Sequence, residues 1–436
     1  MLRAGGSAAD AAVATSAVLA VTTQHMCGMG GDLFALVHDP AAPGPPAVLN
    51  ASGRAGSGAD ADRLRAEGHT SMPFRGDIRS VPVPGCVDGW LALHHRFGRL
   101  PIADVLAPAI AYARDGFPAS PLLSRSCQLL GDLKDAEDFL AAGPPAPGAR
   151  LRRPGVARTL EAIGSAGRDA FYRGEFGVGL LELGRGEFTP EDLAEPGADW
   201  VAPLGARVFD HDVWTAPPNS QGYLTVLGAL IAEGLPLPDD TADPAWAHLL
   251  IESARAAGHD RPAVLSETAD LAHLLQPDAV AERRSGVDPD ACALLGAPTG
   301  DGGTIHLCAV DGDGMGVSLI QSNASGFGAH LVCPVSGSSS RTVVSGSPSW
   351  PATPPSTAHA GVRPTRSRPF SSPDQAASSE LSSARWAATC SLKSSSSCSR
   401  VFSATASRPV RPSRPDGGRS TMRVARASTP GPTPMR

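Results

Sequence analysis

A chain of 436 residues, 42% of them apolar, can bury a sizeable core, as one large α/β domain or two ordinary ones. No apolar run reaches the ~18 residues that a membrane-spanning helix needs. The net charge of −6 is unevenly spread: from Cys333 onward fourteen Lys or Arg stand against three Asp or Glu, behind an acidic body. The eight cysteines show no CxxC pair and no metal-ligand spacing, the pattern of reduced, mostly buried thiols in a cytoplasmic protein.

In chain order, the small residues from Ala8 to Val21 predict a helix, with Asp10 near its start. A signal-peptide core is the competing reading, but Gly5, Gly6 and Asp10 precede it and Arg3 is the one basic residue ahead of it, so a cytoplasmic location is expected. Gly28, Gly30 and Gly31 predict a tight turn, Leu33 to Val37 a buried strand, and Ala47 to Asn50 a second strand. No Lys followed by Ser or Thr comes after these glycines, so a phosphate loop is rejected. Helices are expected at Trp90–Arg96, Ala103–Arg114, Val156–Ala166, Gln221–Glu233 and Trp246–Ala257. Ile305–Val310 and Val317–Ser322, joined by DGDGMG, predict a hairpin of two buried strands. Helices first and paired strands later indicate layered α/β with a largely antiparallel sheet. The end of the chain is Ser-, Pro- and Arg-rich without sustained periodicity, a composition that predicts disorder.

Thr304 follows Gly302 and Gly303 and opens a strand. A threonine hydroxyl is a weak nucleophile at neutral pH. If the chain is cut before it, the freed α-amine, with a pKa of about 8, becomes an adjacent base. The glycines allow the strained backbone such a cut requires. On this segment alone an ordinary strand threonine after a glycine turn is the simpler reading.

The wider pattern changes that. AGGSAADAAVATSAVLAV, GMGGDLFALVHD, SVPVPGCVDGW, RFGRLPIADVLAPAIAYARDGF, TAPPNSQG and GGTIHLCAVDGDGMGVSLIQSNASGFG occur in order, and together they resemble the gamma-glutamyltransferase family along nearly all of residues 1–332. The resemblance implies a four-layer αββα N-terminal-nucleophile hydrolase fold. It also implies a proenzyme cut between Gly303 and Thr304 into a large and a small subunit. The implied reaction is attack by Thr304 on the γ-glutamyl amide of a small, glutathione-type substrate, through an acyl-enzyme passed to water or an amine. No cofactor, metal, nucleic acid or membrane is implied. Arg54, in LNASGRA, matches the arginine that pairs with the substrate carboxylate, a task suited to a guanidinium fork. Asn323 lies one position before the family asparagine that holds the substrate amino end, where Ala324 stands instead. His306 is read as a packed strand residue on the face of Thr304, not a catalytic one.

The pattern breaks at both ends. Met1 to Gly6 match the interior of the family's first helical segment. Beyond residue 332 the family's Ser-Pro segment and oxyanion-hole glycine pair are not legible, so the fold is expected to be incomplete at its C-terminal end. Read one base out of frame, Trp386–Cys390 can encode Met-Gly-Gly-Asp-Val, Thr365–Pro369 His-Thr-Leu-Ser-Pro, and Ser338–Val343 Leu-Leu-Gln-Asn-Arg. All three resemble family segments in family order, which suggests a frameshift near residues 333–338. The expected organisation is a large-subunit-like region (1–303), the start of a small-subunit-like region (304–332) and a frameshifted, disordered tail (333–436). The alternatives are a glutaryl or cephalosporin acylase-like amide hydrolase, or an inactive frameshifted remnant.

Overall fold

In the computed structural model, Ala8–Thr22 form helix α1. Ser7 and Asp10 open it with a capping box, each side chain taking the other's backbone amide. The Asp10 carboxylate also accepts the amides of Arg99 and Leu100, at 2.9 and 3.3 Å. It therefore ties the start of α1 to the turn between two later helices. Ala, Val and Ser surround the helix axis, and α1 is buried on nearly every side. Small side chains let its neighbours approach closely.

The residues described are 1–131, 133, 136–140, 143–293, 304–333 and 342–344, all within a unit spanning Met1–Ala387. The principal sheet is built from β1 (Asp32–His38), β2 (Ala47–Ala51), β3 (Asp199–Val201), β4 (Thr304–Val310) and β5 (Gly316–Ser322), in the order β3-β2-β1-β5-β4. Every neighbouring pair is antiparallel, as the element order predicts. Strand alternation divides it into two unlike faces. Leu33, Ala35 and Val37 pair with Gln321, Leu319 and Val317 and are buried against helices. On the other face Phe34, Leu36 and Ile320 are half-buried, and His306 and Cys308 are exposed.

The helical face is covered by α1 and by α2 (Cys86–Phe97), with α3 (Ile102–Asp115) and α4 (Pro154–Ala166) packed behind. The expected helix at Trp90 starts four residues earlier, at Cys86. Gly89 reads as a breaker in sequence, yet a Cβ there would lie 2.8 Å from the Ala51 side chain and 2.9 Å from that of Leu33. The glycine is what lets α2 lie directly on β1 and β2. Helices α5 (Tyr223–Glu233) and α6 (Pro244–Gly258) share a second, smaller core around Tyr223, Leu227, Ile231 and Ala257. Thr342–Val344 pair with Leu331–Cys333, within a segment whose composition led us to expect no strand. The rest of the expected disordered tail after Cys333, and Gly303, lie outside the described residues.

A buried polar chain joins the layers. The Trp90 indole on α2 donates to the Ser16 hydroxyl on α1 at 2.7 Å, and Ser16 donates to the side-chain Oε1 of Gln321 on β5. Removing the middle link leaves a buried donor and a buried acceptor unmatched. We expect Ser16→Ala to lower unfolding free energy by about 1–3 kcal/mol, measured as a shift of the urea midpoint at constant slope.

Candidate active site

Thr304 is the first residue of β4 and sits directly opposite Ser322, the last of β5. Their hydroxyl oxygens are 3.0 Å apart. The Ser322 Oγ also accepts the amide of Ala324 at 2.8 Å. On its other side Ser322 is in register with Asp32, the first residue of β1. Alternation therefore places Thr304, Ser322 and Asp32 in one row on the face away from the helices, at one end of three adjacent strands.

Asp32 is the unusual member. Its Oδ1 is shut off from solvent and has no hydrogen-bond partner among the described residues. Burial pushes its carboxyl up to about 7, against the opposing pull of the backbone amides of Ser322 and of Asp32 itself. The nearby Cys27 and Cys86 are both buried. Burial and the Asp32 charge push Cys27 up to about 12, and burial, Cys27 and Asp32 push Cys86 well above the ordinary thiol range, so both stay neutral thiols.

The glycine turn fixes where this row ends. A Cβ on Gly31 would lie 2.1 Å from the Ser322 carbonyl oxygen, so only glycine allows the turn to meet the end of β5. The Asn323 amide donates to the Met26 carbonyl at 3.0 Å, clamping the strand end to the same loop. The rejection of a phosphate site from the sequence now has a positive counterpart: Gly31 serves a close backbone approach.

The sequence-predicted residues are placed as follows. Thr304 stands in the row. Asn323 does not join it: the side chain is buried and its Nδ2 donates to the Gln24 carbonyl at 3.0 Å. One step along the strand turns it to the opposite side from Ser322. Ala324, at the family's asparagine position, has a φ of 64°, in the left-handed region that asparagine or glycine adopts more readily. His306 is exposed and not packed as expected, because β4 is the edge strand; its Nε2 lies 2.9 Å from the Ser318 hydroxyl. Gly303 lies outside the described residues.

Arg54 lies just beyond the end of β2, its backbone paired with that of Val83. The sheet order puts it at the same end as Thr304, about 15 Å away across three strand spacings. Its Nη2 donates to Asp199 on β3 at 2.8 Å, and both side chains are at least half exposed. An exposed pair of this kind contributes about 0–1 kcal/mol, so the guanidinium is available to an incoming anion. Asp199 is held by register with Asn50 and by a buried anchor, in which Asp88 accepts the Gly197 amide and pairs with Arg168.

Sequence reasoning missed Ser322 and Asp32. Ser322 was recoverable, since a hairpin turning around Asp313 must set it opposite Thr304. Asp32 was not, because its place depends on pairing between β1 and β5, nearly 300 residues apart.

A helix-backed antiparallel sheet whose edge strand opens on a threonine, its hydroxyl met by a second hydroxyl from the neighbouring strand, is the arrangement of the N-terminal-nucleophile hydrolase fold. Comparison with solved structures agrees. Cephalosporin acylase from Bacillus halodurans superimposes with a TM-score of 0.68 at 31% identity, over 78% of this chain and 66% of that one. The Helicobacter pylori gamma-glutamyltranspeptidase shares the fold, with a TM-score of 0.61 at 22% identity over 67% and 88%. The chain belongs to the gamma-glutamyltranspeptidase family, whose pattern matches residues 1–372. That match continues past residue 332, where the legible sequence resemblance stops. The glutathione hydrolase-like YwrD proenzyme of Bacillus subtilis is 36% identical over 275 residues, 61% of this chain and 52% of the relative. The oxamate amidohydrolase proenzyme of Klebsiella pneumoniae is 34% identical over 356 residues, 77% of this chain and 66% of the relative. The chain thus spans between half and two thirds of the length of these two relatives.

The elevated Asp32 carboxyl has a consequence for stability. Its folded value lies above the ordinary 3.8, so the native state binds this proton more tightly than the unfolded chain. The stabilising contribution of Asp32 is full below about pH 4, falls as pH rises towards about 7, and is gone above that. Asp32→Asn lacks this fall. The difference in unfolding free energy between parent and variant should therefore change across that window in favour of the variant, by up to about 4 kcal/mol, in urea titrations at a series of pH values.

Proposed function

We propose that the chain is a gamma-glutamyltransferase or hydrolase-like proenzyme that uses Thr304 as its nucleophile. The observation that carries this reading is the Thr304 hydroxyl at the head of β4, 3.0 Å from that of Ser322, in a chain of this family. The first event is self-cleavage between Gly303 and Thr304. It frees an α-amine on the residue whose hydroxyl needs a base. The hydroxyl then attacks a γ-glutamyl amide, the amine takes its proton and returns it to the leaving nitrogen, and the acyl group passes to water or an amine. The products of the cut are a large subunit ending at Gly303 and a small one starting at Thr304.

Arg54 is the carboxylate anchor in this reading. It is exposed, at the Thr304 end of the sheet, and engaged by a single acidic partner among the described residues. Asn323 acts on the loop that shapes the site and not on substrate, since its amide is committed to Gln24. Arg54 does not by itself separate γ-glutamyl from glutaryl amides, because both present a carboxylate. Hydrolysis of the two measured side by side decides between the transferase reading and an acylase.

The alternative reading is an inactive remnant: a change of reading frame near residues 333–338 would remove the family's oxyanion donors, although the family pattern itself runs on to residue 372. Sequencing the coding DNA around codons 333–338 tests it: a continuous shifted frame supports it, and stop codons throughout that frame refute it.

On the proenzyme reading, intact-mass analysis should show the parent split at Gly303–Thr304 and Thr304→Ala whole; equal cleavage of both at that bond would remove Thr304 as the intramolecular nucleophile, whereas a parent that stays whole while a frame-restored chain cuts makes the tail the defect. In the cleaved protein, Arg54→Ala should lower kcat/KM for a γ-glutamyl anilide by about 10- to 100-fold, mostly through KM, as loss of a charged hydrogen-bonded contact predicts.

A further inference from the structure

We propose that Asp32 is the proton-accepting partner of Thr304 in the uncut precursor, acting through Ser322. The inference rests on the self-cleavage reading and addresses a gap in it. Before the cut, the Thr304 nitrogen is part of a peptide bond and offers no lone pair for proton abstraction. The base for the first step must come from another residue.

The Thr304 row supplies a route. A serine hydroxyl has two acceptor lone pairs and one proton. At Ser322 the Ala324 amide occupies one lone pair. The Thr304 hydroxyl, 3.0 Å away, can donate to the other. Ser322 must then hand on its own proton, and the next residue in the row is Asp32, in register on the far side. Directly opposed side chains on neighbouring antiparallel strands have Cβ atoms about 5 Å apart. The Ser322 backbone amide already meets the Asp32 carboxyl, so the two residues are in contact at this end of the strands. The Asp32 Oδ1 is sequestered from solvent and carries no hydrogen bond among the described residues, so it has an acceptor site to offer.

The environment suits the task. An ordinary carboxylate is too weak a base to draw a proton from an alcohol efficiently, and burial brings Asp32 to about 7, where a general base works best near neutral pH. The titratable groups that face it are Cys27, in the loop after α1, and Cys86, at the start of α2. Both remain neutral thiols, so neither competes as an acceptor. Among the described residues no cationic side chain acts on the carboxyl to return it to ordinary acidity.

The step balances. Thr304 Oγ1 bonds to the Gly303 carbonyl carbon while its proton moves to Ser322 and the Ser322 proton moves to Asp32. The Gly303–Thr304 C–N bond then breaks. Asp32 returns the proton by the same relay to the departing nitrogen, leaving an ester and a free amine. Water opens the ester, and Asp32 is a carboxylate again. After the cut the amine takes over as base. Asp32 is thus needed for maturation far more than for turnover.

The test is the rate of self-cleavage, followed by intact mass from about pH 5 to pH 9, in the full-length parent and in Asp32→Asn, Asp32→Glu, Ser322→Ala and Thr304→Ala. The parent rate should rise with pH and level off above about pH 7. Asp32→Asn should cut at least tenfold more slowly at the plateau and lose the inflection, Ser322→Ala should be slowed comparably, and Asp32→Glu should recover part of the rate with a displaced inflection. Urea midpoints of the same proteins identify any loss due to misfolding, and the Glu variant is the check if Asn fails to fold. Asp32→Asn cleaving at the parent rate with the parent inflection overturns the role of Asp32, while an inert Thr304→Ala in the same experiment leaves the nucleophile standing. The same series run on a frame-restored chain separates a defective tail from a wrong assignment: if parent and frame-restored chain both stay whole at every pH, both assignments are overturned.

Discussion

The register of three strands, β1, β5 and β4, is the constraint on which the rest of the molecule turns. It sets Asp32, Ser322 and Thr304 side by side, and it does so with backbone hydrogen bonds alone. A slip of one residue in either pairing would send the row to the helical face, into contact with α1. Two devices guard against that. The buried alternation of Leu33, Ala35 and Val37 against Gln321, Leu319 and Val317 fixes which face is which. The tight approach of Gly31 to the Ser322 carbonyl fixes where the row ends.

The helical layer serves this register. Its core is made of small side chains where α1 meets the sheet and of a glycine where α2 does, so both helices sit close and the strands beneath them have little room to shift. The polar chain from Trp90 through Ser16 to Gln321 adds direction to that packing, because its hydrogen bonds are made in one alignment of α2, α1 and β5 only. The other face of the sheet is different in kind. Its apolar residues are half-buried and its edge carries exposed polar ones. The row of Thr304, Ser322 and Asp32 and the side chain of Arg54 lie at one end of the sheet, where strand ends and loops meet.

Charge is arranged with the same division. Arg54 and Asp199 face solvent and hold each other weakly, leaving the guanidinium open to exchange its partner. Asp32 is half-buried with its Oδ1 shut off from solvent, and that desolvation raises its carboxyl. One carboxylate is an exposed counter-ion and the other has its acidity weakened by desolvation, and the distinction comes from exposure, since the side chains are chemically identical.

Much of the architecture was legible in the chain itself. The periodicities located α1, β1, β2 and the hairpin of β4 and β5 to within a residue or two, because each is a local pattern of apolar spacing and turn residues. The order of motifs gave the family and named Thr304 and Arg54. Other features were open only to the fold. The start of α2 was hidden because Gly89 looks like a breaker until Leu33 and Ala51 are seen beneath it. His306 was placed in packing when it belongs to an exposed edge, since a strand's position in a sheet is not written in its own residues. Asn323 was carried towards substrate by its neighbours in sequence, and the structure commits it to a loop 299 residues away. Asp32 went unremarked beside a glycine turn. Local sequence determines which segments are helix or strand and which residue can be a nucleophile; long-range strand pairing and burial decided which carboxyl stands beside it, because proximity and desolvation exist only once distant segments have met.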